Sequence, residues 1–343
     1  MKACITDGKG NVKLEDIDMV KVGPYQCLCK INACATCSGT DKKLVNGLFN
    51  WADKYPAILG HEGVGTVIEC GSKVKNFKLG DKVLRPAVAL PGTMYRNLAS
   101  WMGNFAEYGL VTDIKAMENI PEGTDPFGYT RYQQIIPKDV EISDCDATML
   151  IMLKEVAGAC KGAQIKINHT VLVLGAGAVA QAMCFFASQT GANVIAAARR
   201  TDALANCLKC GAKEVINICD DNLITKVLEI TNNRGVDIIM DAAGDAAFAI
   251  KASNLLVDGG GIASYATVDG GFPFDQIEAK GTWKFLDSAV PENEMHEEVI
   301  QLIRTKELNP KDFYSHKMDF DDFEEGFSLL TKKQASKIVF EMK

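Results

Sequence analysis

No stretch of this 343-residue chain is rich in basic residues. Its 37 Lys and Arg are outnumbered by 44 Asp and Glu, for a net charge of −7. That balance argues against a polyanion such as nucleic acid as a partner. A long uninterrupted apolar run is also missing. The most apolar segment, 170–198, is broken by Gly175, Gly177, Gln181, Ser188, Gln189, Gly191 and Asn193, too polar for a membrane span. It reads instead as strand, turn, helix, turn, strand. The first residues, with Lys2 and Asp7 close to Met1, lack the apolar core and cleavage site of a secretory leader, so a cytoplasmic protein with no membrane association is expected. There are no internal repeats and no low-complexity tracts. The 12 cysteines are scattered rather than framed, and in a reducing compartment most read as small buried hydrophobes. The pair Cys207 and Cys210 lies in a helical run with no second pair or His at ligand spacing, so it reads as structural.

What is present divides in two. A chain of this size with 47% apolar residues can bury more than one core. Up to about residue 150, short alternating segments (12–14, 26–33, 63–70, 81–84, 106–111) are separated by Gly, Pro, Asn and Asp, which predicts a compact mostly-β domain. From 151 to 285, continuous apolar strands at 171–174, 194–197, 236–241 and 261–265 alternate with helical stretches, as in a parallel sheet covered on both faces. The tail, 286–343, has helical runs at 295–305 and 320–331 and a strand-like 337–341, and is expected to return to the first domain.

Within the second domain the apolar strand 171–174 runs into Gly175-Ala176-Gly177-Ala178-Val179-Ala180 and then a helical segment. Gly175 permits a tight turn, Gly177 lets the backbone approach a pyrophosphate, and a small residue at Ala180 allows helix against strand packing. The N–H groups of Ala178 and Val179, at the helix start, would face the phosphates. The next strand ends in Ala198-Arg199-Arg200, where an NAD site usually carries an acid for the ribose 2′-OH. Two guanidinium groups and no acid suit a 2′-phosphate, so NADP(H) is favoured over NAD(H). If Arg199 and Arg200 only begin a solvated helix, NAD remains possible. Ser264 and Tyr265, at the end of a glycine-rich strand, are placed near the nicotinamide.

Cys37 and the pair His61-Glu62 lie in the first domain, in Cys34-Ala35-Thr36-Cys37 and Gly60-His61-Glu62-Gly63. Zinc takes thiolate, imidazole and carboxylate ligands, and a catalytic site keeps one position open. Taken singly, each has a plain alternative as a buried Cys or a hydrogen-bonded structural His; together they read as a metal site.

Cys-x-x-Thr-Asp at 37–41, Gly-His-Glu-Gly-Val-Gly at 60–65, Gly80-Asp81-Lys82-Val83, the dinucleotide fingerprint and the terminal Lys337-Ile338-Val339-Phe340 together resemble the medium-chain zinc-dependent alcohol dehydrogenases, over essentially the whole chain. The resemblance implies an α/β protein with a GroES-like mostly-β catalytic domain (1–150 and 286–343) and a Rossmann cofactor domain (151–285). It implies Cys37 and His61 as zinc ligands, Glu62 as a ligand or a partner exchanging with bound water, and Asp41 orienting His61. Thr40 would bond the substrate hydroxyl and pass its proton outward. Zinc would polarise the alcohol oxygen while the nicotinamide accepts hydride. Lys43 stands where many members carry a proton-relaying His. The usual further ligand falls near Ile151, which binds no metal. Glu155, one helical turn on, is a candidate ligand or substrate contact, with a salt bridge near the domain junction as its alternative. The family's structural zinc needs four close cysteines after Val83, and 84–113 has none, so one catalytic ion is expected.

The expected activity is hydride transfer between a nicotinamide cofactor and an alcohol or polyol and its ketone or aldehyde, in a homodimer or homotetramer. A metal-free enone or quinone reductase of the same fold and a non-catalytic NADP-binding regulator are the alternatives. Phe49, Trp51, Arg85, Trp101, Asn104 and Phe105 are candidate cleft residues, with core packing as the other reading. The long connection 114–136 is expected to shape a cleft wall or an oligomer contact.

Overall fold

The computed structural model describes residues 1–343 other than Asn50, Asp269 and Ser288. The alternating first segment forms strands β1 Lys2–Thr6, β2 Val12–Asp16, β3 Gln26–Ala35, β4 Ala57–Ile58, β5 Glu62–Cys70, β6 Lys82–Leu84, β7 Met94–Tyr95, β8 Leu98–Ser100 and β9 Tyr108–Thr112, with a short helix α1 Thr40–Val45 after β3. Helix α2, Asp144–Gly162, leads into an alternating series: β10 Thr170–Leu174, α3 Ala178–Gln189, β11 Asn193–Ala198, α4 Thr201–Lys209, β12 Glu214–Asn217, α5 Leu223–Ile230, β13 Val236–Asp241, α6 Ala246–Ser253, β14 Leu256–Ser264 and β15 Trp283–Phe285. The tail adds α7 His296–Arg304, β16 His316–Asp319, α8 Phe323–Thr331 and β17 Ile338–Glu341. The chain separates into two compact units, Met1–Ile151 with Ile300–Lys343, and Met152–Val299.

In the first unit, one sheet runs β2-β1-β4-β8-β7 and a second runs β16-β17-β3-β5-β6, with β9 also on β3. The tail is tied to the first segment by aromatic packing. Phe105 lies 4.8 Å from Phe323 of α8, which lies 4.7 Å from Phe340 of β17. All three are at most 0% exposed, and burying such a side chain contributes about 1.5–3 kcal/mol. Phe105, a candidate cleft residue, is therefore core.

The second unit is one parallel sheet in the order β12-β11-β10-β13-β14-β15. Its central strand β10 is buried at every position, as expected where helices cover both faces. Strand β14 begins five residues earlier than its apolar part predicts. Its pairing with β13 slips between Val236 and Ile238, and Gly259, at φ +77°, sits inside the slip. The irregularity absorbs Asp258 and the glycines, which no alternation rule would assign to a strand.

Candidate functional site

Register decides what meets in the first unit. Ala35, at the end of β3, pairs with Glu62 at the start of β5 on one side and with Val339 of β17 on the other. Three strand ends therefore converge, carrying Cys37 just after β3, His61 just before β5 and Lys337 just before β17. The turn after β3 is held to β17 by Thr36, whose N–H donates to Ile338 O (2.8 Å) and whose Oγ1 accepts from Ile338 N (3.0 Å). Gly60 makes the entry to His61 possible. Its φ is +96°, and a Cβ there would come within 2.4 Å of the Phe105 backbone nitrogen.

The ligand atoms of Cys37, His61 and Glu62 lie within 4.8 Å of one another. The imidazole is oriented: Nδ1 faces Asp41 Oδ1 at 3.4 Å and Nε2 faces Glu62 Oε1 at 3.8 Å. Asp41, wholly buried, also accepts from the Cys37 N–H through Oδ2 at 2.7 Å. One carboxylate thus bonds the backbone of one member of the trio and faces the ring of another. Burial alone would lower the His61 pKa, but the Asp41 carboxylate, then Cys37, outweigh it and raise it well above the usual histidine value. A thiolate, an imidazole nitrogen and a carboxylate are a zinc donor set, and tetrahedral zinc ligands at about 2.0–2.3 Å stand about 3.4–3.8 Å apart. The trio fits such an ion with modest closure.

Access is graded. His61 and Glu62 are 5% and 1% exposed, whereas Cys37 and Thr40 are half-buried. The Cys37 thiol donates to Thr40 Oγ1 at 3.6 Å, so hydroxyl and sulfur share the open side. Lys43, on the same short helix, lies 6.0 Å from the Phe49 ring centroid.

Sequence reasoning missed the role of Lys337. Its Nζ lies 2.5 Å from Glu62 Oε2, with both side chains almost wholly buried. Burial lowers the lysine pKa, but Glu62, then Cys37 and Asp41, more than reverse this and raise it. The ammonium is therefore a resident counter-charge to the trio. A lysine heading the apolar run Ile338-Val339-Phe340 was the available signal. Its partner, 275 positions away in sequence, was not visible.

In the second unit, the turn between β10 and α3 carries the fingerprint. Gly175 has φ +118°, a region barred to most side chains, and donates its N–H to Ala197 O at 2.9 Å. Gly177 precedes the first residue of α3, Ala178, and nothing stands within 4 Å of where its Cβ would be, which leaves open space at the helix start. Helix α3 starts at Ala178, three residues before the helical segment read from sequence, so the N–H groups of Ala178 and Val179 belong to its unsatisfied first turn. Ala198 ends β11, and Arg199 and Arg200 follow it, both exposed.

Asp241, at the end of β13, is a further organising residue. It is 0% exposed and accepts from Ala243 N (2.9 Å), Gly244 N (3.0 Å) and Ser264 Oγ (3.2 Å). Burial raises its pKa. Ser264, expected from the sequence near the nicotinamide, thus joins the ends of β13 and β14. The Tyr265 hydroxyl donates to Glu155 Oε2 at 2.6 Å. This gives both residues a defined partner within the second unit, and Glu155 is outside the clustered trio. Ile151 is 0% exposed.

The remaining candidate cleft residues divide by role. Trp51 and Trp101 line a cavity of about 240 Å³ together with Asp53, Pro126 and Phe127, so the 114–136 connection borders that cavity, whose lining does not include Cys37, His61 or Glu62. Arg85 and Asn104, 4% and 0% exposed, bond to the backbone beside His61.

Residues 23–122 match the family of the alcohol dehydrogenase GroES-like domain, and residues 178–305 match the zinc-binding dehydrogenases. The chain is 27% identical over 326 residues to an NADP-dependent isopropanol dehydrogenase of Thermoanaerobacter brockii, covering 91% of this chain and 90% of that one. It is 27% identical over 340 residues to an NAD-dependent alcohol dehydrogenase of Sulfolobus acidocaldarius, covering 90% and 91%. In structure it is similar to an alcohol dehydrogenase from Thermus sp. ATN1, with a TM-score of 0.78 over 100% of both chains at 22% identity. At that identity the likeness speaks for the fold.

Proposed function

Because the chain belongs to the medium-chain zinc-dependent alcohol dehydrogenase superfamily, we propose that it oxidises a small alcohol or polyol to its ketone or aldehyde, or runs the reverse reduction, with one catalytic zinc and NADP(H) as the preferred cofactor. The observation that carries this is the cluster of Cys37, His61 and Glu62, with Asp41 behind the imidazole and Thr40 on its open side. Zinc held there would act as a Lewis acid on the substrate oxygen. Asp41 keeps the His61 Nδ1 side occupied so that Nε2 is presented forward. Thr40 Oγ1 accepts the hydroxyl proton of the substrate and passes it towards solvent. Lys337 neutralises Glu62, so that the burial of several acidic groups together is tolerated. Glu155 is kept as a substrate contact or an additional ligand, and a homodimer or homotetramer remains the expected assembly.

A panel of secondary alcohols and polyols, followed by absorbance of the reduced nicotinamide, tests the activity. Turnover of at least one class is expected, and silence across the panel with zinc bound would favour a non-catalytic nucleotide binder. Asp41→Asn should weaken zinc binding by about 10–100-fold, measured by competition with a chromogenic chelator. For the cofactor, Arg199→Ala and Arg200→Ala should each raise KM for NADP⁺ by about tenfold while leaving that for NAD⁺ within about twofold. Equal changes for both would remove the 2′-phosphate reading.

The metal-free reductase has one observation in its favour: the Lys337 ammonium supplies positive charge to Glu62 with no ion needed. Elemental analysis of protein purified without chelator separates the two readings, since zinc well below one equivalent would leave only the metal-free one.

A further inference from the structure

The step His61-Glu62 is gripped on both sides by two residues far from it in sequence. Asn104 donates its N–H to Gly60 O (2.9 Å) and accepts from Gly63 N through Oδ1 (2.9 Å). Arg85 donates through Nη1 to His61 O (2.9 Å) and through its own N–H to Gly63 O (2.7 Å). Four backbone polar groups around two trio residues are thus tied to two buried residues, two through side chains and two through main-chain N–H groups. Arg85 adopts φ +58°, which non-glycine residues rarely do. It is held there from the 114–136 connection: Gln133 Nε2 donates to its carbonyl at 3.1 Å, and the rings of Tyr129 and Tyr132 lie 5.7 and 5.6 Å from its guanidinium carbon. The Tyr129 hydroxyl also accepts from Asn104 Nδ2 at 3.3 Å. Asp125 in turn fixes Tyr129, accepting from Tyr129 N and Thr130 N at 2.7 and 2.8 Å.

We infer that Arg85, Asn104 and Tyr129 form a clamp, delivered by the 114–136 connection, that positions His61 and Glu62 and so controls how long this chain retains a metal ion. The inference rests on the proposed reading of the trio as metal ligands. The physical reason is tolerance. Metal to ligand distances are set within about 0.2 Å, while a dipeptide at the entry to a strand can shift further than that unless the backbone around it is held. A buried guanidinium with two aromatic rings set against it has little freedom to follow such a shift. These are positioning residues, since they touch the backbone of the trio and not the ligand atoms.

The full-length protein is stripped of metal, reloaded with Co²⁺ and then with Zn²⁺, and release to excess chromogenic chelator is timed. Co²⁺ adds a readout of geometry through its thiolate charge-transfer and ligand-field bands. Wild type should take up one equivalent. Tyr129→Leu and Arg85→Met should release metal about 10–100-fold faster and alter the cobalt bands, with Arg85→Lys recovering part of the rate because it keeps a donor for His61 O. Ile239→Ala, in the buried β13 of the other unit, controls for general loss of stability and should release at the wild-type rate. If Arg85→Met does not fold, Tyr129→Phe, which removes only the hydroxyl, carries the test with a few-fold acceleration. Release within twofold of wild type in the folded Tyr129 and Arg85 variants overturns the clamp while leaving the trio intact. Failure of wild type to bind either ion overturns the metal reading itself, and the clamp with it.

Discussion

Cys37→Ser and His61→Ala each lose bound zinc and lower kcat/KM by at least about 10³-fold, because Lewis-acid stabilisation of a developing alkoxide is worth several kcal/mol and each 1.4 kcal/mol is tenfold in rate. The trio offers an ion three protein donors, so removal of one leaves two, too few to hold zinc against water. The half-buried Cys37 can be replaced with little cost to packing, and the folded state of Cys37→Ser should melt close to wild type. The measurement is zinc content by mass spectrometry beside steady-state rates on the best alcohol of the panel. Full zinc occupancy with wild-type rates in Cys37→Ser would remove the thiolate from the mechanism. Glu62→Gln and Glu155→Gln, run beside these, report which carboxylate assists: the one whose loss lowers zinc content is the ligand.

The second large effect is on stability. Lys337→Met leaves the Glu62 carboxylate buried without its ammonium, and removing one partner of a buried pair costs about 3–5 kcal/mol. The double variant Glu62→Gln with Lys337→Met removes both charges and should recover more than half of that loss, because a well-packed neutral pair is often as stable as the ion pair it replaces. Denaturant unfolding of the metal-free proteins gives both values. If the double variant is as unstable as the sum of the two singles, the ion pair is not what couples these residues. In the loaded enzyme Lys337→Met has a second reading: Glu62, released from the lysine, can turn towards the ion, and tighter zinc retention together with lower kcat would mark that exchange.

The α/β architecture, a GroES-like unit followed by a Rossmann-type sheet, was legible from local patterning. Residues 171–174 are apolar throughout and 236–241 carries an apolar run at 238–240, as a strand covered on both faces must, and 26–33 and 63–70 alternate because one face meets the core. The cofactor turn was legible for the same local reason, since glycine at 175 and 177 is a requirement of backbone geometry within a few residues. The residue types of the trio could also be read, because zinc accepts few donors and Cys37, His61 and Glu62 lie in short distinctive segments.

Three things were settled only by tertiary structure. The partnership of Lys337 with Glu62 depends on β17 pairing with β3 beside β5, a register that no local pattern encodes. Among the candidate cleft residues, only packing and hydrogen bonding separated Phe105, Asn104 and Arg85, which support the core and the backbone beside His61, from Trp51 and Trp101, which line a cavity. The irregular start of β14 followed from a slipped pairing with β13, not from propensity. Sequence by itself determined the chemistry available and the local shapes that carry it, because donor type, glycine geometry and hydrophobic period act over a few residues. Tertiary structure alone decided which charges face each other and what bonds the backbone around His61 and Glu62, because those are long-range pairings whose energy exists only once the sheets have formed.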